Sequence, residues 1–422
     1  MKARSEDGVC MSKGGEARPV RVFFVDPFGI AGLAHYNYCL CQALVRAGAD
    51  VTLLTSTMYE LDSWQHDFQV ERLAELWDPF TSENLRRGKG LVTKVGKGLA
   101  YWRSMIRIIR RIYAARPDVL HLTEMFFSMD LVFLWLMKLS GARLVQTCHN
   151  VRTFTADDKA RRVVGRGRVG DWIHSRMYRC FDGIIFHTED SKREFTECFG
   201  GHSASLHVIP HGNYMIHGAK TVPSKDSARR RLGLPLDRKT VLFFGFIKRY
   251  KGLIYLVRAF EPVLRAIPDC QLVVAGAAYF GSGLEECRRA ASELGISDRI
   301  RWDVQYVPNE SIRDYFAAAD VVALPYVKIY QSGVLQLAYA FERPVVATDV
   351  GGVKEIVEQD GTGVLVRPRD SAALAEGLIQ VLSDEALAVE MGRRGRQLAE
   401  TKYGWDDIAA KTMQVYEEAM DQ

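Results

Sequence analysis

The chain has 422 residues, of which 48% are hydrophobic and 25% are charged, and its formal net charge is +5. At about 100–200 residues per domain, this length indicates two or three domains. The composition excludes an intrinsically disordered protein, which needs low hydrophobicity, and the mild charge excludes a histone-like polycation.

The cysteines and the apolar runs bear on the cellular compartment. The eight cysteines form no CxxC pair and no Cys/His cluster with zinc spacing, so reduced thiols in the cytoplasm are expected. Residues 1–19 contain no apolar run of the kind found in secretory signals and are predicted to form a flexible tail. The longest apolar run, at 131–137, is too short to span a bilayer and is interpreted as a buried helix.

Short apolar, β-branched segments alternate with helical patterns along the whole chain, which predicts parallel sheets covered by helices on both faces. In the first half, a strand at 20–26 leads through a glycine-containing loop into a helix at 35–47. Further strands of this half are predicted at 49–56, 118–123, 142–150, 182–188 and 206–211. The pattern begins again at 240–247 and continues at 270–278, 300–306, 320–326, 344–350 and 363–368.

This restart divides the chain into two doubly wound α/β domains. A polar, basic segment interrupted by Gly and Pro, at 214–239, is predicted to link a domain at 20–213 to a domain at 240–402. Ligands of such sheets bind beyond the carboxyl ends of the strands, so both sheets are expected to face a shared cleft.

Candidate residues lie where strands of the first domain end. Gly29 and Gly32 separate a strand from a helix, which lets backbone N–H groups approach an anion, although the full GxGxxG pattern is absent. His149, followed by Asn150, and His211 each end a strand and are expected to project into the cleft. The alternative is an ordinary turn for the glycines and buried structural imidazoles for the histidines.

A strand-to-helix turn in the second domain crowds together Lys248, Arg249 and Lys251. Three cations beside a helix N-terminus repel one another and the helix dipole, and a bound diphosphate would remove this penalty. The alternative is a solvated basic turn. Ser332 and Gly333 open another helix, whose free N–H groups suit phosphate oxygens.

Residues 86–116 contain ten basic side chains and no acidic one. Apolar residues recur there at helical spacing, namely Trp102, Met105, Ile106, Ile109, Ile112 and Tyr113. The pattern is that of a basic amphipathic helix, as found on membrane surfaces. Two interpretations stay open: a helix packed on the sheet with a solvated basic rim, or one whose rim also makes peripheral contact with anionic lipid.

Six segments, in this order, make residues 20–420 resemble glycosyltransferases of the GT-B fold, family 4. They are QTCHNV (146–151), VIPHGNY (208–214), FFGFIKRYKGL (243–253), DYFAAADVVALPY (314–326), PVVATDVGGVKEIVEQDGTGVLVRP (344–368) and YGWDDIAAKTMQVYEEAM (403–420). The resemblance implies two Rossmann-like domains facing a cleft, with residues 403–422 crossing back to the first domain as a helix.

The resemblance also implies retaining transfer of a sugar from a nucleoside diphosphate sugar, without a metal or another cofactor. By the same resemblance His149, Lys248 and Lys251 are catalytic, and Lys248 stands where a sub-group has arginine in "FFGxIRPYKG". The donor diphosphate is then expected to contact Gly32, Arg249, Ser332 and Gly333.

One feature departs from the family pattern. The family has two glutamates eight positions apart, and here those places hold Tyr330 and Ala338, or Ile329 and Leu337, depending on the alignment. The segment QSGVLQLAYAF (331–341) resembles the sub-group version "QSGVxxLAYxFGKPVVATDVGG". The chain is therefore interpreted as a sub-group variant.

Neutral side chains are the candidates to replace the missing acids. Gln331 and Gln336 are hypothesised to bind hydroxyls of the donor sugar or ribose, together with Asn150 and His211.

The expected reaction is transfer of a hexose from a UDP- or GDP-linked donor to a hydroxyl of a glycan or a polyprenyl-diphosphate-linked acceptor. Assembly of a cell-surface polysaccharide at the inner face of the plasma membrane would suit the basic helix. The alternatives are a sugar-nucleotide epimerase of the same fold and a non-catalytic binding protein. A phosphorylase is disfavoured because no pyridoxal lysine motif is found, and nucleic-acid binding because stacking aromatics are not interleaved with the basic residues.

Overall fold

The computed structural model describes residues 10–11, 17–76, 91–124, 127–151, 168–200, 203–217, 222–279 and 281–422. Within these residues, two parallel sheets account for all strands except one short antiparallel pair, β1 (Cys10–Met11) with β2 (Ala17–Arg18). Arg18 is held to Asp118 by a 2.6 Å ion pair. Residues 1–9 and 12–16 of the predicted tail lie outside the described residues.

The first sheet is built from the first half of the chain. Its strands are β3 (Arg21–Val25), β4 (Asp50–Ser56), β5 (Gln69–Ala74), β6 (Val119–Leu122), β7 (Arg143–Thr147), β8 (Gly183–Phe186) and β9 (Ser205–Val208). Their spatial order is β5-β4-β3-β6-β7-β8-β9. The direction of strand addition therefore reverses between β3 and β6.

The second sheet repeats this arrangement. Its strands are β10 (Lys239–Phe244), β11 (Cys270–Ala275), β12 (Ile300–Asp303), β13 (Val321–Leu324), β14 (Val345–Thr348) and β15 (Gly363–Val366). The order β12-β11-β10-β13-β14-β15 reverses between β10 and β13. Such reversals open a crevice at the carboxyl ends of the strands, where ligands of doubly wound sheets bind.

Helices cover both faces of the first sheet. They are α1 (Ala31–Arg46), α2 (Leu91–Ala115), α3 (Asp130–Leu139), α4 (Arg168–Tyr178) and α5 (Glu189–Phe199). The start of α5 shows the local cause: Thr188 caps it by accepting a hydrogen bond from the Ser191 N–H, and two acidic residues follow in the first turn.

The helices that follow in the chain are α6 (Lys225–Leu232), α7 (Leu253–Ala266), α8 (Leu284–Glu293), α9 (Asn309–Ala318), α10 (Gly333–Ala340), α11 (Gly351–Asp360), α12 (Ser371–Ser383), α13 (Glu385–Glu400) and α14 (Trp405–Asp421). All except α14 pack around the second sheet. The helix α6 lies inside the segment predicted as the link, and its Ala228 is buried in the core of the second domain.

The strands are apolar on both faces because each sheet lies between two layers of helices. In β3, Val22 and Phe24 enter one core of the first sheet, while Phe23 and Val25 enter the other. The predicted fold class, two doubly wound α/β domains, is confirmed.

The last helix, α14, returns to the first sheet. Trp405, Ile408 and Tyr416 are buried in the core beside α1, and the Tyr416 hydroxyl lies 2.6 Å from the Nδ1 atom of His121. The first domain therefore consists of the first half of the chain together with this C-terminal helix, as the resemblance implied.

Three details differ from the sequence-based expectations. The strand β5 was not predicted, because QVERLA is polar and largely accessible at the edge of the sheet. The helix α1 begins at Ala31 rather than at residue 35. The apolar run at 131–137 is buried on one face only, since Trp135 is 59% exposed.

Candidate active site

A cavity of about 610 Å³ lies between the carboxyl ends of the two sheets. The volume is in the range of pockets that hold small-molecule ligands. Its walls come from segments that follow strands on both sides of each reversal, such as Asp26 after β3 and Glu124 after β6. Opposite them lie segments that follow β10 and β13.

The predicted residues converge on this cavity. Those that line it are Gly32, His149, Asn150, His211, Lys248, Lys251, Gln331, Ser332 and Gly333. Arg249 and Gln336 do not. The cleft expected between the two sheets is therefore present, and it gathers most of the candidate side chains in one place.

Two lysines give the cavity a basic pole. Burial lowers the pKa of Lys251 to about 7, with a further contribution from the neighbouring charge of Lys248. Burial also lowers the pKa of Lys248, whose Nζ atom lies 4.4 Å from the centre of the Tyr279 ring. Among the described residues the Lys251 ammonium has no carboxylate or other hydrogen-bonding partner, so an anionic ligand would relieve its desolvation.

Arg249 lies in the same turn but faces away from the cavity. Its guanidinium donates to Glu286 at 3.0 Å and to the Gly281 carbonyl at 3.1 Å, and its side chain is 48% exposed. The ion pair with Glu286 removes one of the three charges that the sequence pattern placed together.

Glycine is required at the turn that presents Lys251. Gly252 has φ +69°, and a Cβ atom there would overlap the Pro325 carbonyl oxygen. Gly245 has φ +92°, and a Cβ atom would lie 3.0 Å from the Lys251 Nζ atom. A side chain at either position would displace the backbone or the ammonium group.

The helix α10 points its N-terminus at the cavity. Ser332 caps this helix by accepting a hydrogen bond from the Leu335 N–H, and its hydroxyl also forms a 3.1 Å hydrogen bond with the Tyr326 hydroxyl. Gly333 lies against the Tyr214 ring, and the Tyr214 hydroxyl donates to the Gly32 carbonyl at 3.0 Å. Tyr214 thus ties the first glycine loop to the start of α10.

Two buried histidines, His149 and His211, line the cavity, and a third buried histidine, His187, lies next to both; the sequence analysis did not single out His187. His187 lies between the other two, with ring centroids at 4.8 Å from His149 and 5.1 Å from His211. Burial lowers the pKa of all three imidazoles, to about 3 for His187 and to about 4 for His211. They are therefore neutral at physiological pH.

Glu124 is a second residue that the sequence analysis missed. It follows β6 and lines the cavity, where its negative charge opposes that of Asp26 and favours the charged form of Lys248. Burial, with a smaller contribution from Asp26, raises the pKa of the Glu124 carboxyl to about 7. A carboxyl close to half-ionised at neutral pH is thus placed within the electrostatic reach of the basic pole.

The positions of the missing glutamates hold apolar or aromatic side chains. Ile329 and Leu337 line the cavity, whereas Tyr330 and Ala338 are buried in the cores. The Gln331 amide oxygen lies at the cavity, is buried and has no hydrogen-bond partner among the described residues.

Gln336 belongs to a separate small cavity. Its amide oxygen is likewise buried and unpartnered within the described part of the chain. His211, Gln331 and Ser332 line both cavities. Gln336 therefore lies behind the main cavity rather than on its wall.

No group of three or more His, Cys, Asp and Glu residues suited to a metal ion occurs in the described ranges. No helix of those ranges has the length and hydropathy needed to cross a membrane.

Comparison with known families matches both halves of the chain. The model described as "Glycosyl transferase 4-like domain" matches residues 31–212, and "Glycosyl transferases group 1" matches residues 224–398. Over 422 aligned positions the chain is 32% identical to an uncharacterized glycosyltransferase of Methanocaldococcus jannaschii, covering 93% of this chain and 95% of that one.

Other relatives match over shorter segments. The D-inositol 3-phosphate glycosyltransferase of Xylanimonas cellulosilytica is 32% identical over 244 residues, which are 56% of this chain and 57% of that protein. The match thus spans little more than half the length of this relative.

Solved structures agree with the fold. HepE of Anabaena, in complex with UDP and glucose, superimposes with a TM-score of 0.71 at 19% identity, covering 94% of this chain and 98% of HepE. Sucrose-phosphate synthase of Thermosynechococcus elongatus gives 0.69 at 22% identity, with 94% and 98% coverage. The two facing Rossmann-like domains define the GT-B architecture of glycosyltransferases.

Sequence identity to a full-length relative then places the molecule within that class. The chain belongs to the glycosyl transferases group 1, a family of transferase enzymes. The narrower sub-group suggested by the motifs stays a prediction.

Proposed function

We propose that the protein transfers a hexose, with retention of anomeric configuration and without a metal, from a UDP- or GDP-linked donor to an acceptor hydroxyl. The observation that carries this proposal is the unpartnered Lys251 ammonium at the cavity, beside Lys248 and the N-terminus of α10. Two cations and a helix N-terminus suit the two phosphates of a nucleoside diphosphate sugar. The structure of HepE with UDP-glucose supports the choice of donor class.

The chemistry follows from where charge develops. Cleavage of the anomeric C–O bond leaves its electron pair on the diphosphate and builds positive charge on the sugar, as in glycoside hydrolysis. Lys248 and Lys251 stabilise the departing diphosphate, and the acceptor oxygen forms the new bond on the same face of the sugar. The acceptor proton passes to the diphosphate, so no protein base is needed for this step.

The role proposed for the histidines is to position the donor sugar and not to exchange protons with it. With its pKa far below the ordinary value, His149 stays neutral and forms a hydrogen bond with a sugar hydroxyl instead of acting as a strong base. Gln331, whose amide oxygen is unpartnered, supplies a further acceptor for a donor hydroxyl in place of the usual glutamate.

The acceptor is proposed to be a glycan or a polyprenyl-diphosphate-linked sugar used for a cell-surface polysaccharide. Support comes from an exposed apolar surface on the first domain, formed by α2, α3 and α4, which we term the helical face. Its exposed residues are Val95, Leu99, Trp102, Ile106, Tyr113, Val132, Trp135, Leu139, Val169 and Trp172. Part of the apolar stripe predicted to pack on the sheet thus faces outward, while Met105 and Ile112 pack inward.

The charges and aromatic groups of the helical face suit an anionic bilayer. Arg103 and Arg110 are exposed and form no ion pair with the described residues. Tryptophans at 37%, 59% and 55% exposure, at positions 102, 135 and 172, resemble the interfacial aromatic residues of membrane-bound proteins. We therefore propose peripheral binding to the inner face of the plasma membrane through this face.

Sedimentation with vesicles tests the membrane proposal. The wild type should co-sediment with phosphatidylglycerol-containing vesicles at low salt, and less with neutral phosphatidylcholine vesicles. Trp135→Ser combined with Arg110→Ser should reduce binding about tenfold or more, because each removes a separate contribution. Equal binding of this double variant and the wild type would reject the helical face as the contact.

A thermal-shift panel tests the donor site. UDP, GDP, ADP and CMP are added without metal to the wild type, Lys251→Ala and the control Lys239→Ala. Lys239 is the first residue of the central strand β10 and lies at its amino-terminal end, away from the cavity at the carboxyl ends of the strands. One nucleoside diphosphate should raise the melting temperature of the wild type and the control but not that of Lys251→Ala.

Transfer assays separate the enzyme from its alternatives. Release of the free nucleoside diphosphate together with a glycosylated acceptor supports the proposal. Stabilisation by a nucleotide without turnover on any sugar nucleotide would favour a binding protein, and conversion of the sugar without release of the nucleotide would favour an epimerase.

A further inference from the structure

His149, which lines the cavity, and His187 beside it are linked by hydrogen bonds that determine where their protons lie. The His187 Nδ1 atom is 3.1 Å from the Ile209 carbonyl oxygen, and its Nε2 atom is 3.1 Å from the His149 Nδ1 atom. A carbonyl oxygen can only accept a hydrogen bond. The His187 Nδ1 atom must therefore carry the hydrogen.

This assignment passes along the chain of bonds. Because His187 is neutral, its Nε2 atom is left with a lone pair and accepts. The donor in the second hydrogen bond must then be the His149 Nδ1–H group. In a neutral imidazole this leaves the His149 Nε2 atom without a hydrogen.

The remaining nitrogen of His149 has no hydrogen-bond partner among the described residues. The His149 Nε2 atom is buried and forms no hydrogen bond with the described residues, and His149 lines the cavity. The ring is held by the edge-on Tyr36 ring, whose centroid is 4.6 Å away. A buried acceptor without a partner, on a ring that lines a pocket, can accept a hydroxyl hydrogen of a bound sugar.

We infer that His187 is a positioning residue, which holds His149 as the Nδ1–H tautomer so that His149 Nε2 accepts a hydrogen bond from one hydroxyl of the donor sugar. This inference rests on the proposed donor class. We term this chain of hydrogen bonds the relay: it runs from the Ile209 carbonyl through His187 and His149 to the sugar hydroxyl. His187 itself does not touch the sugar.

Two variants of His187 separate the relay from simple packing. His187→Gln keeps an amide oxygen that can accept from the His149 Nδ1–H, whereas His187→Leu offers no acceptor. In the leucine variant His149 should change to the Nε2–H tautomer and present a donor where an acceptor is needed. We expect kcat/KM to fall about tenfold or more for His187→Leu, and much less for His187→Gln.

Two-bond ¹H–¹⁵N spectra of the ligand-free protein read the tautomer directly. The wild type should show His149 protonated at Nδ1, and His187→Leu should show it protonated at Nε2. An Nε2–H tautomer in the wild type would overturn the inference whatever the enzyme assays give. His187→Leu should lower the melting temperature moderately, because the Ile209 carbonyl loses its donor. Nucleoside diphosphate binding should stay close to wild type in both variants, which shows that the fold and the diphosphate site are intact.

Donors lacking one hydroxyl at a time identify the hydroxyl at the end of the relay. With the wild type, the deoxy donor that lacks this hydroxyl should have a much lower kcat/KM than the complete donor. With His187→Leu, removal of the same hydroxyl should change kcat/KM only slightly. If the effects of His187→Leu and of the missing hydroxyl on the activation free energy were additive for every deoxy donor, the relay would be overturned. The proposed transferase function would stay in place. Absence of transfer with all donors, with His149 still protonated at Nδ1, would instead reject the proposed function.

Discussion

The Tyr306 hydroxyl donates a hydrogen bond to the Glu60 carboxylate across the cleft, with an oxygen–oxygen distance of 2.5 Å. Tyr306 follows β12 in the second domain, and Glu60 belongs to the first. The other Glu60 oxygen accepts from the Ala31 N–H at 2.6 Å, at the start of α1. One carboxylate therefore joins the glycine loop of the first domain to the wall of the second.

Removing this link should loosen the closed arrangement. In Tyr306→Phe the hydrogen bond to the carboxylate is lost, and such bonds contribute about 1.5–3 kcal/mol in general, less at an accessible site. We expect a larger radius of gyration by small-angle X-ray scattering in the ligand-free protein. The control Tyr113→Phe removes a hydrogen bond within the first domain and should leave the radius unchanged.

Glu60→Gln offers a graded version of the same experiment. The amide oxygen still accepts from Tyr306, so its effect should be smaller than that of Tyr306→Phe. Scattering curves of Tyr306→Phe that coincide with those of the wild type would show that other contacts hold the domains together.

Loss of the Lys251 ammonium should slow the chemical step. Lys251→Ala removes a preorganised cation from the leaving diphosphate, and we expect kcat to fall about 100-fold or more. Lys239→Ala, at the amino-terminal end of β10 and away from the cavity, should retain kcat. Near-normal turnover of Lys251→Ala would end the assignment of this lysine to the diphosphate.

Diphosphate binding should take up a proton above neutral pH. The pKa of Lys251 is about 7 in the ligand-free protein, and a diphosphate beside it will raise that value. Affinity is then full below about pH 7 and falls as the pH rises, by up to about tenfold per pH unit until the pKa of the complex is reached. Calorimetry at pH 8, in buffers with different ionisation enthalpies, measures the uptake.

Variants assign the proton to a residue. Two groups titrate near pH 7, the Glu124 carboxyl and the Lys251 ammonium. Proton uptake should persist in Glu124→Gln, which keeps Lys251, and should decrease in Lys251→Ala. Binding without proton uptake at pH 8 in the wild type would contradict the lowered pKa of Lys251.

Glu124→Gln should stabilise the protein at alkaline pH. The folded-state pKa of Glu124, about 7, lies above the ordinary value of 4.5, so the native state holds an extra proton between these values. Stability from this group is present below about pH 4.5 and is lost as the pH rises through 7. The gain of the glutamine variant should be on the order of 1–3 kcal/mol at pH 8 and close to zero at pH 4. Urea unfolding at both pH values measures it, and an equal effect at both would refute the pKa shift.

Glycine at position 252 should be indispensable for the turn that holds Lys251. Gly252→Ala combines a left-handed backbone with overlap against the Pro325 carbonyl, whereas Gly48→Ala has φ +90° but open space around the new Cβ atom. The control should cost about 1–2 kcal/mol from its dihedral angle alone. Gly252→Ala should cost clearly more and weaken nucleotide binding as well. Equal free energies of unfolding for the two variants would show that the backbone yields to the overlap.

The sequence predicted most of the fold because buried parallel strands are apolar throughout. Strand β5 was not predicted, because its residues, QVERLA, lie at a sheet edge where water replaces the second helix layer. The exposed side of α3 was not predicted either. The segment LVFLWLM is apolar on all sides, so no sequence pattern distinguishes its buried face from its exposed face.

The site was predictable where the argument used strand ends. That argument found His149 and His211, and it applied equally to His187, which follows β8 in the same way. Glu124 also follows a predicted strand, but a single acid after a short strand is ordinary until its burial is known. The outward turn of Arg249 depends on Glu286, which is distant in sequence and becomes a neighbour only through folding.

The return of α14 to the first sheet has a consequence for synthesis of the protein. The Trp405 indole donates to the Asn213 carbonyl at 2.8 Å, and Tyr416 completes a buried pair with His121. On the ribosome, residues 20–213 emerge long before residues 405–421, so the first domain must wait with one apolar face uncovered while the whole second domain is made. Complete packing of the first domain can therefore only follow synthesis of α14, after the second domain has been made.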